Sequence, residues 1–222
     1  VKTMILAAGL GKRMRPLTDT LPKPLIPVRG KPLIAYHLEA LARAGVSEVI
    51  INLAYRGPQI QQYVGDGAAW GLQVTYSSEP EPLETGGAIV HAQELLGDAP
   101  FILLNADVFT DFDFSGLLKA PLGEDDLGRL VLVHNPDFKP TGDFDVNASG
   151  RLQLLGAGEG FTFAGVSLLK PALVLEYPKR RACFGLAEVF REAAVNDRLS
   201  AEVYTGVWSD VGTPERLEAL QG

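Results

Sequence analysis

The chain contains one cysteine, Cys183, so no internal disulfide can staple it, and its thiol content suits a reducing compartment. Histidine is equally sparse: His37 and His91 fall within helical patterns, His134 follows a strand, and no pair has metal-ligand spacing. No apolar run reaches the ~18–20 residues of a membrane span. Residues 1–8 run directly into a glycine turn without a cleavage-type site, so they read as a strand and not as a signal peptide. Positive charge is scarce too. The 20 Lys+Arg against 27 Asp+Glu give a net charge of −7, which excludes broad binding to nucleic acid or anionic membrane. With 222 residues, 46% apolar and 21% charged, the chain can bury an ordinary globular core. A single cytoplasmic domain spanning 1–222 is expected, as a monomer or small homo-oligomer.

The few basic residues are concentrated. Residues 1–31 hold 7 of the 20 Lys+Arg and one acidic residue, Asp19, leaving 13 basic against 26 acidic residues elsewhere. A short apolar run, Met4 to Ala8, stops at Gly9 and Gly11. A proline-rich loop carrying Lys12, Arg13, Arg15, Lys23, Arg29 and Lys31 follows. A positive pocket in a negative protein, directly after a buried strand, reads as an anion site, and a nucleotide's phosphate chain suits it.

Strand-length apolar runs at 3–8, 47–53, 72–78 and 100–107 alternate with amphipathic helical segments at 31–45, 58–67 and 85–97. This order predicts parallel strands with right-handed crossovers, an α/β doubly wound sheet of Rossmann-like type. The second half adds strands at 129–135, 161–169 and 201–210, a hairpin signal in 141–156 around Asn147–Gly150, and a helix at 184–197. A last helix is capped by Thr213 with Pro214 at its first position. The sheet is therefore expected to be mixed and mainly parallel. The acidic segment 124–128 is the one stretch that resembles a linker, and it reads as a solvated loop. A ligand belongs in the crevice outside the carboxyl ends of the early strands.

Two common phosphate loops fail here. A dinucleotide fingerprint lacks its third glycine, since Met14 stands there, and Asn52-Leu53 replaces the ribose-binding acid, which excludes a dehydrogenase. A P-loop would need glycine at Leu6 and a hydroxyl at Arg13. What remains is a flexible turn with basic side chains on either side, and Lys23 clamped between Pro22 and Pro24.

The pattern L-A-A-G-x-G-x-R-M-x-P-L-T, followed by P-K-P-L, resembles the signature of the sugar-1-phosphate nucleotidylyltransferases. Similar blocks recur at 83–88 (LETGGA), 103–109 (LLNADVF), 141–144 (TGDF), 161–165 (FTFAG) and 208–217 (WSDVGTPERL). A chain of this length without a C-terminal β-helix extension looks most like the bacterial enzymes that uridylate N-acetylmuramate α-1-phosphate in cell-wall recycling. The resemblance implies a glycosyltransferase-A-like fold with a nucleotide-binding half (1–110) and a sugar-binding half (111–222).

It also implies roles. Leu6, Ala7, Ala8, Gly9, Gly11, Lys12 and Arg13 would hold the triphosphate, with Arg13 on the β- and γ-phosphates and Lys23 on the charge at the α-phosphorus. A turn and a solvated basic loop is the structural alternative for the same stretch. Asp107 and Asp210 end apolar runs opposite that loop; they are either turn caps or Mg²⁺ ligands, and similarity to the family's metal-binding aspartates favours Mg²⁺. Relatives carry glycine where this chain has Ala106. Asp111 and Asp113 read as turn and N-cap residues. Glu79, Glu84, Thr85 and Gly86 fall at the family's base-reading segment, with Glu84 standing where relatives have glycine; an ordinary acidic loop is the alternative. Asn105, Gly142, Asp143, Glu159, Ala164 and Gly165 fall where relatives contact the sugar, or serve simple hairpin roles. For a lactyl carboxylate, Lys179, Arg180 and Arg181 are candidates, against a solvated face.

The expected reaction is attack of a sugar 1-phosphate on the α-phosphorus of UTP. The attacking phosphate is already ionised at neutral pH and needs no general base. Other sugars (glucose, mannose), phosphocholine and other nucleoside triphosphates are the alternatives. A catalytically silent nucleotide sensor would be expected to lack some of Arg13, Lys23, Asp107 and Asp210, and all four are present.

Overall fold

The computed structural model describes residues 1–222. Seven strands form the central sheet: β1 (Thr3–Leu6), β2 (Glu48–Leu53), β3 (Gln73–Ser78), β4 (Phe101–Asn105), β5 (Gly128–Val133), β6 (Thr162–Leu169) and β7 (Leu199–Tyr204). Their spatial order is β7-β5-β6-β4-β1-β2-β3. All neighbours run parallel except β6, which is antiparallel to both β4 and β5. The mixed, mainly parallel doubly wound sheet is therefore what the chain forms. From β1 the chain winds outward through β2 to β3, then returns to β4 on the other side of β1. The order reverses between β1 and β4, and that is where an open α/β sheet leaves a crevice.

Alternation along the strands divides the core in two. Ile5, Val49, Ile51, Ile102 and Leu104 pack on one face with Ile34, Leu38 and Leu41 of helix α1 (Leu33–Ala44) and Ile60 and Val64 of α2 (Gly57–Val64). Met4, Ile50 and Leu103 point to the other face, against Ala88 and Ile89 of α3 (Glu84–His91) and Val189, Phe190 and Ala193 of α4 (Leu186–Val195). Both clusters draw on residues before and after position 110. A smaller cluster joins Met14, Ile26, Val28 and Leu33 to Phe109, Val211 and Leu217, the last on helix α5 (Pro214–Gln221). It fastens the basic loop to α5, whose first turn Thr213 Oγ1 secures by accepting from Arg216 N at 3.4 Å.

Three expectations change. The strand expected over 201–210 is two: β7 ends at Tyr204, and Trp208–Asp210 pairs antiparallel with Val108–Thr110 outside the main sheet. Asp111 makes the break, since its Oδ1 accepts from Val207 N at 2.8 Å and from the Tyr204 hydroxyl. Asp111 is thus a turn residue, and Asp113, accepting from Ser115 N at 2.9 Å, heads the short helix Ser115–Lys119. The helix expected over 85–97 breaks at Ala92, and the turn keeps both Ala92 and Leu96 buried in the second core cluster. Within the segment read as a linker, Asp126 is buried and paired with Arg151, so 124–128 is anchored at its middle.

Candidate active site

A cavity of about 440 Å³ opens where β1 and β4 end. Its wall runs from Leu6 to Met14, crosses to Lys23 and Pro24, and is completed by Asn52, Glu79, Pro82, Glu84, Thr85, Asn105–Asp107 and Gly212. Where the chain leaves β1, Ala7 N donates to Asn52 Oδ1 at 2.6 Å. Gly11 takes φ +60, and a Cβ there would sit 2.7 Å from Thr18 Cγ2, so both conformation and space call for glycine. Thr18 Oγ1 closes the turn by donating to Gly11 O at 2.8 Å. Gly9 is exposed, with open space where a side chain would be. Lys12 and Arg13 line the cavity beyond it, exposed and engaged in no ion pair.

Lys23 heads a single helical turn, Lys23–Leu25. Its side chain is 11% exposed, and Nζ donates to Asp107 Oδ2 at 2.7 Å. Asp107 and Asp210 are brought together by the small antiparallel pair: Asp210 lies opposite Val108, and Val211 N donates to Asp107 O at 2.7 Å. Arg216 Nη1 donates to Asp210 Oδ1 at 2.5 Å. Each carboxylate keeps one oxygen without a protein partner.

At the other end of the cavity Glu79 is buried. Asn52 Nδ2 donates to its Oε1 at 2.7 Å and Leu83 N to its Oε2 at 3.1 Å. Glu84 has φ +58, a left-handed conformation that glycine adopts freely. Thr85 lines the cavity while its Oγ1 accepts from Leu186 N at 2.8 Å. Gly86 lies inside α3; its N–H donates to Phe184 O at 2.9 Å, and a Cβ would fall 2.5 Å from the Phe184 ring.

Of the residues singled out for the sugar, Asn105 lines the cavity, with Gly165 (φ +74) packed against it. Ala164 O accepts from Trp208 Nε1 at 2.8 Å. Gly142, Asp143 and Glu159 lie outside the cavity wall. Gly142 N donates to Glu159 O at 2.7 Å, and Asp143 Oδ2 accepts from Phe163 N at 2.9 Å and Lys139 Nζ at 2.6 Å. The Glu159 side chain is exposed. Lys179 and Arg181 pair with Glu192 and Glu188 on the surface of α4, and Arg180 caps Leu175 O.

The nucleotidyl transferase family's sequence model matches residues 2–142, the stretch that contains the glycine turn, Lys23 and Asp107. The chain belongs to the nucleotidyl transferase family. It is 45% identical to an N-acetylmuramate alpha-1-phosphate uridylyltransferase of Neisseria meningitidis, over 100% of this chain and 97% of that one. A mannose-1-phosphate guanyltransferase of Hypocrea jecorina is 31% identical over 97% of this chain and 62% of its own length. Among solved structures, HddC from Yersinia pseudotuberculosis superposes with a TM-score of 0.82 at 26% identity, covering 99% of this chain and 97% of that one.

In this nucleotidyl transferase Asn52 is the residue that sequence reasoning passed over. It ties the phosphate turn, through Ala7 N, to the Glu79 end of the cavity. Its only signal was a polar residue near the carboxyl end of an apolar strand. Replacing Asn52 by Leu strands a buried N–H and a buried carboxylate oxygen, each costing about 1–3 kcal/mol. We expect a lower melting temperature and a KM for the nucleoside triphosphate raised about tenfold or more. An unchanged KM in steady-state assays would separate Asn52 from nucleotide binding.

His37 on α1 is a further buried polar group, close to Asp107. It is 2% exposed, and Nε2 has no hydrogen-bond partner. Burial lowers its pKa from 6.5 to about 4, outweighing the Asp107 carboxylate and the Ala106 and Val108 carbonyls, which pull upward. The unfolded chain takes up a proton near pH 6.5 that the folded chain refuses until about pH 4. This contribution is intact above that window and is lost as pH falls through it, by about 1.4 kcal/mol per unit. Melting temperatures of wild type and His37→Gln, compared between pH 7 and 4.5, should converge as the pH falls; parallel curves would contradict the assignment.

Proposed function

We propose that the enzyme transfers the uridylyl group of UTP to N-acetylmuramate α-1-phosphate, forming UDP-N-acetylmuramate and pyrophosphate in the cytoplasm, with Mg²⁺ as cofactor. The observation that carries this reading is the 45% identity, over the full chain, to the meningococcal protein of that name. A sugar-phosphate oxygen forms a bond to the α-phosphorus, and the bond from that phosphorus to the bridging oxygen breaks. Pyrophosphate leaves with the electron pair.

The donor set suits Mg²⁺, which takes one or two carboxylates and fills its remaining positions with phosphate oxygens and water. Asp107 and Asp210 would hold it, each with one unengaged oxygen. When bound, the ion neutralises phosphate charge. Lys12 and Arg13, which have no protein counter-ion, meet the terminal phosphates. Lys23 is already desolvated, so its charge acts strongly on the α-phosphate once it leaves Asp107.

Both Glu79 oxygens are used within the protein. Each oxygen still has acceptor capacity for a base N–H, so the base edge meets Glu79 together with the second amide N–H of Asn52 and the backbone at Glu84–Thr85. The same fold serves relatives named for guanylyl transfer to mannose 1-phosphate, so the discriminating experiment is specificity. Pyrophosphate release across UTP, dTTP, GTP and CTP, each with N-acetylmuramate, N-acetylglucosamine, glucose and mannose 1-phosphates, should give its highest kcat/KM for UTP with the muramate. Activity confined to glucose 1-phosphate or to GTP would overturn the substrate assignment.

A further inference from the structure

The cavity's side-chain cations are one-sided. Lys12, Arg13 and Lys23 all belong to the loop that serves the triphosphate. The second substrate also brings a phosphate dianion, which must approach from the sugar-binding half. Arg216, from that half, lies against the cavity wall at Gly212. A Cβ placed on the cavity-wall residue Gly212 would fall 2.5 Å from Arg216 Nη1 and 3.2 Å from Asp210 Oδ1. The other basic side chain of the adjoining loop, Lys139, is held by Asp143 at 2.6 Å.

Arg216 is also built in. Its side chain is 19% exposed, Cζ lies 3.5 Å from the centroid of the Phe138 ring, and Nη1 reaches Asp210 at 2.5 Å. Phe138 is 44% exposed, an unusual position for a large aromatic, and it belongs to the loop that leads to Gly142 and Asp143. The stack fixes the guanidinium plane and leaves its remaining N–H groups available for an anion. The arrangement resembles Lys23 on Asp107: each aspartate holds one cation, Lys23 from the basic loop and Arg216 from α5.

We propose that Arg216, seated on Phe138, binds the 1-phosphate of the acceptor substrate, as Lys23 serves the nucleotide's α-phosphate. The inference rests on the sugar-1-phosphate reading given above but not on the identity of the sugar. Guanidinium–phosphate pairing is bidentate and charge-assisted, so a lysine in its place should recover only part of the binding.

Arg216→Met, which keeps the apolar stem over Phe138, and Arg216→Lys test this. For Arg216→Met the KM for the sugar 1-phosphate should rise at least tenfold while the KM for UTP changes less than twofold, with Arg216→Lys between Met and wild type. Calorimetric titration of N-acetylglucosamine 1-phosphate onto the enzyme, with a non-hydrolysable UTP analogue and Mg²⁺ present, should weaken by the same factor. An unchanged sugar-phosphate KM with a raised Mg²⁺ requirement would make Arg216 a prop for Asp210 and overturn the proposal. A defect confined to sugars bearing a lactyl carboxylate would overturn it too, since the phosphate is common to all. Should the wild type prefer another sugar 1-phosphate, the substrate reading falls while the same variants, assayed with that sugar, still decide the role of Arg216.

Discussion

Replacing Lys23 by Ala should lower kcat by about 10²–10³-fold, the loss seen when one preorganised donor to a developing charge is removed. The side chain is 11% exposed and meets Asp107 at 2.7 Å, so its charge sits in a partly desolvated site where it acts more strongly than in water. The backbone around it, Pro22-Lys23-Pro24, restricts where the ammonium can go. The fold should survive, because the buried residues that anchor this turn, Leu25 and Ile26, are left in place. Circular dichroism matching wild type, together with an undiminished kcat, would remove Lys23 from the chemistry.

Asp107→Asn should cost more. Asparagine keeps the shape but loses the charge that pairs with Lys23 and that a divalent ion would need. Loss of metal-based charge stabilisation is worth several kcal/mol, on the order of a thousandfold in rate. Asp210→Asn should fall in the same range, and the double variant should cost far less than the product of the two, because both serve one unit. Full additivity in a double-mutant cycle, or an undisturbed response to Mg²⁺ titration in either variant, would separate the two residues.

Much of this was legible in the chain. The glycine turn, Arg13, Lys23 and Asp107 all belong to one compact pattern, and the structure brings that pattern to a single cavity at the ends of β1 and β4. Continuous apolar runs marked the central strands β1, β2 and β4, because these bury side chains on both faces. The harder parts depend on pairings that periodicity does not encode. The break between Tyr204 and Trp208 is made by Asp111, nearly a hundred residues earlier, yet it sets Asp210 beside Asp107. That Asn52 and Glu79 hydrogen-bond each other could not be read from the sequence, since they lie at the ends of different strands. Arg216 was only a letter in a terminal motif until Phe138 and Asp210 enclosed it.

One cavity transfers a nucleotidyl group onto a sugar phosphate. Supplying UTP with N-acetylmuramate 1-phosphate labelled with ¹⁸O in its phosphate tests it most directly, by mass spectrometry of the products. Attack at the α-phosphorus predicts that all label stays in UDP-N-acetylmuramate, with unlabelled pyrophosphate formed in equal amount. Label in the pyrophosphate, or pyrophosphate released without a nucleotide sugar, would contradict it.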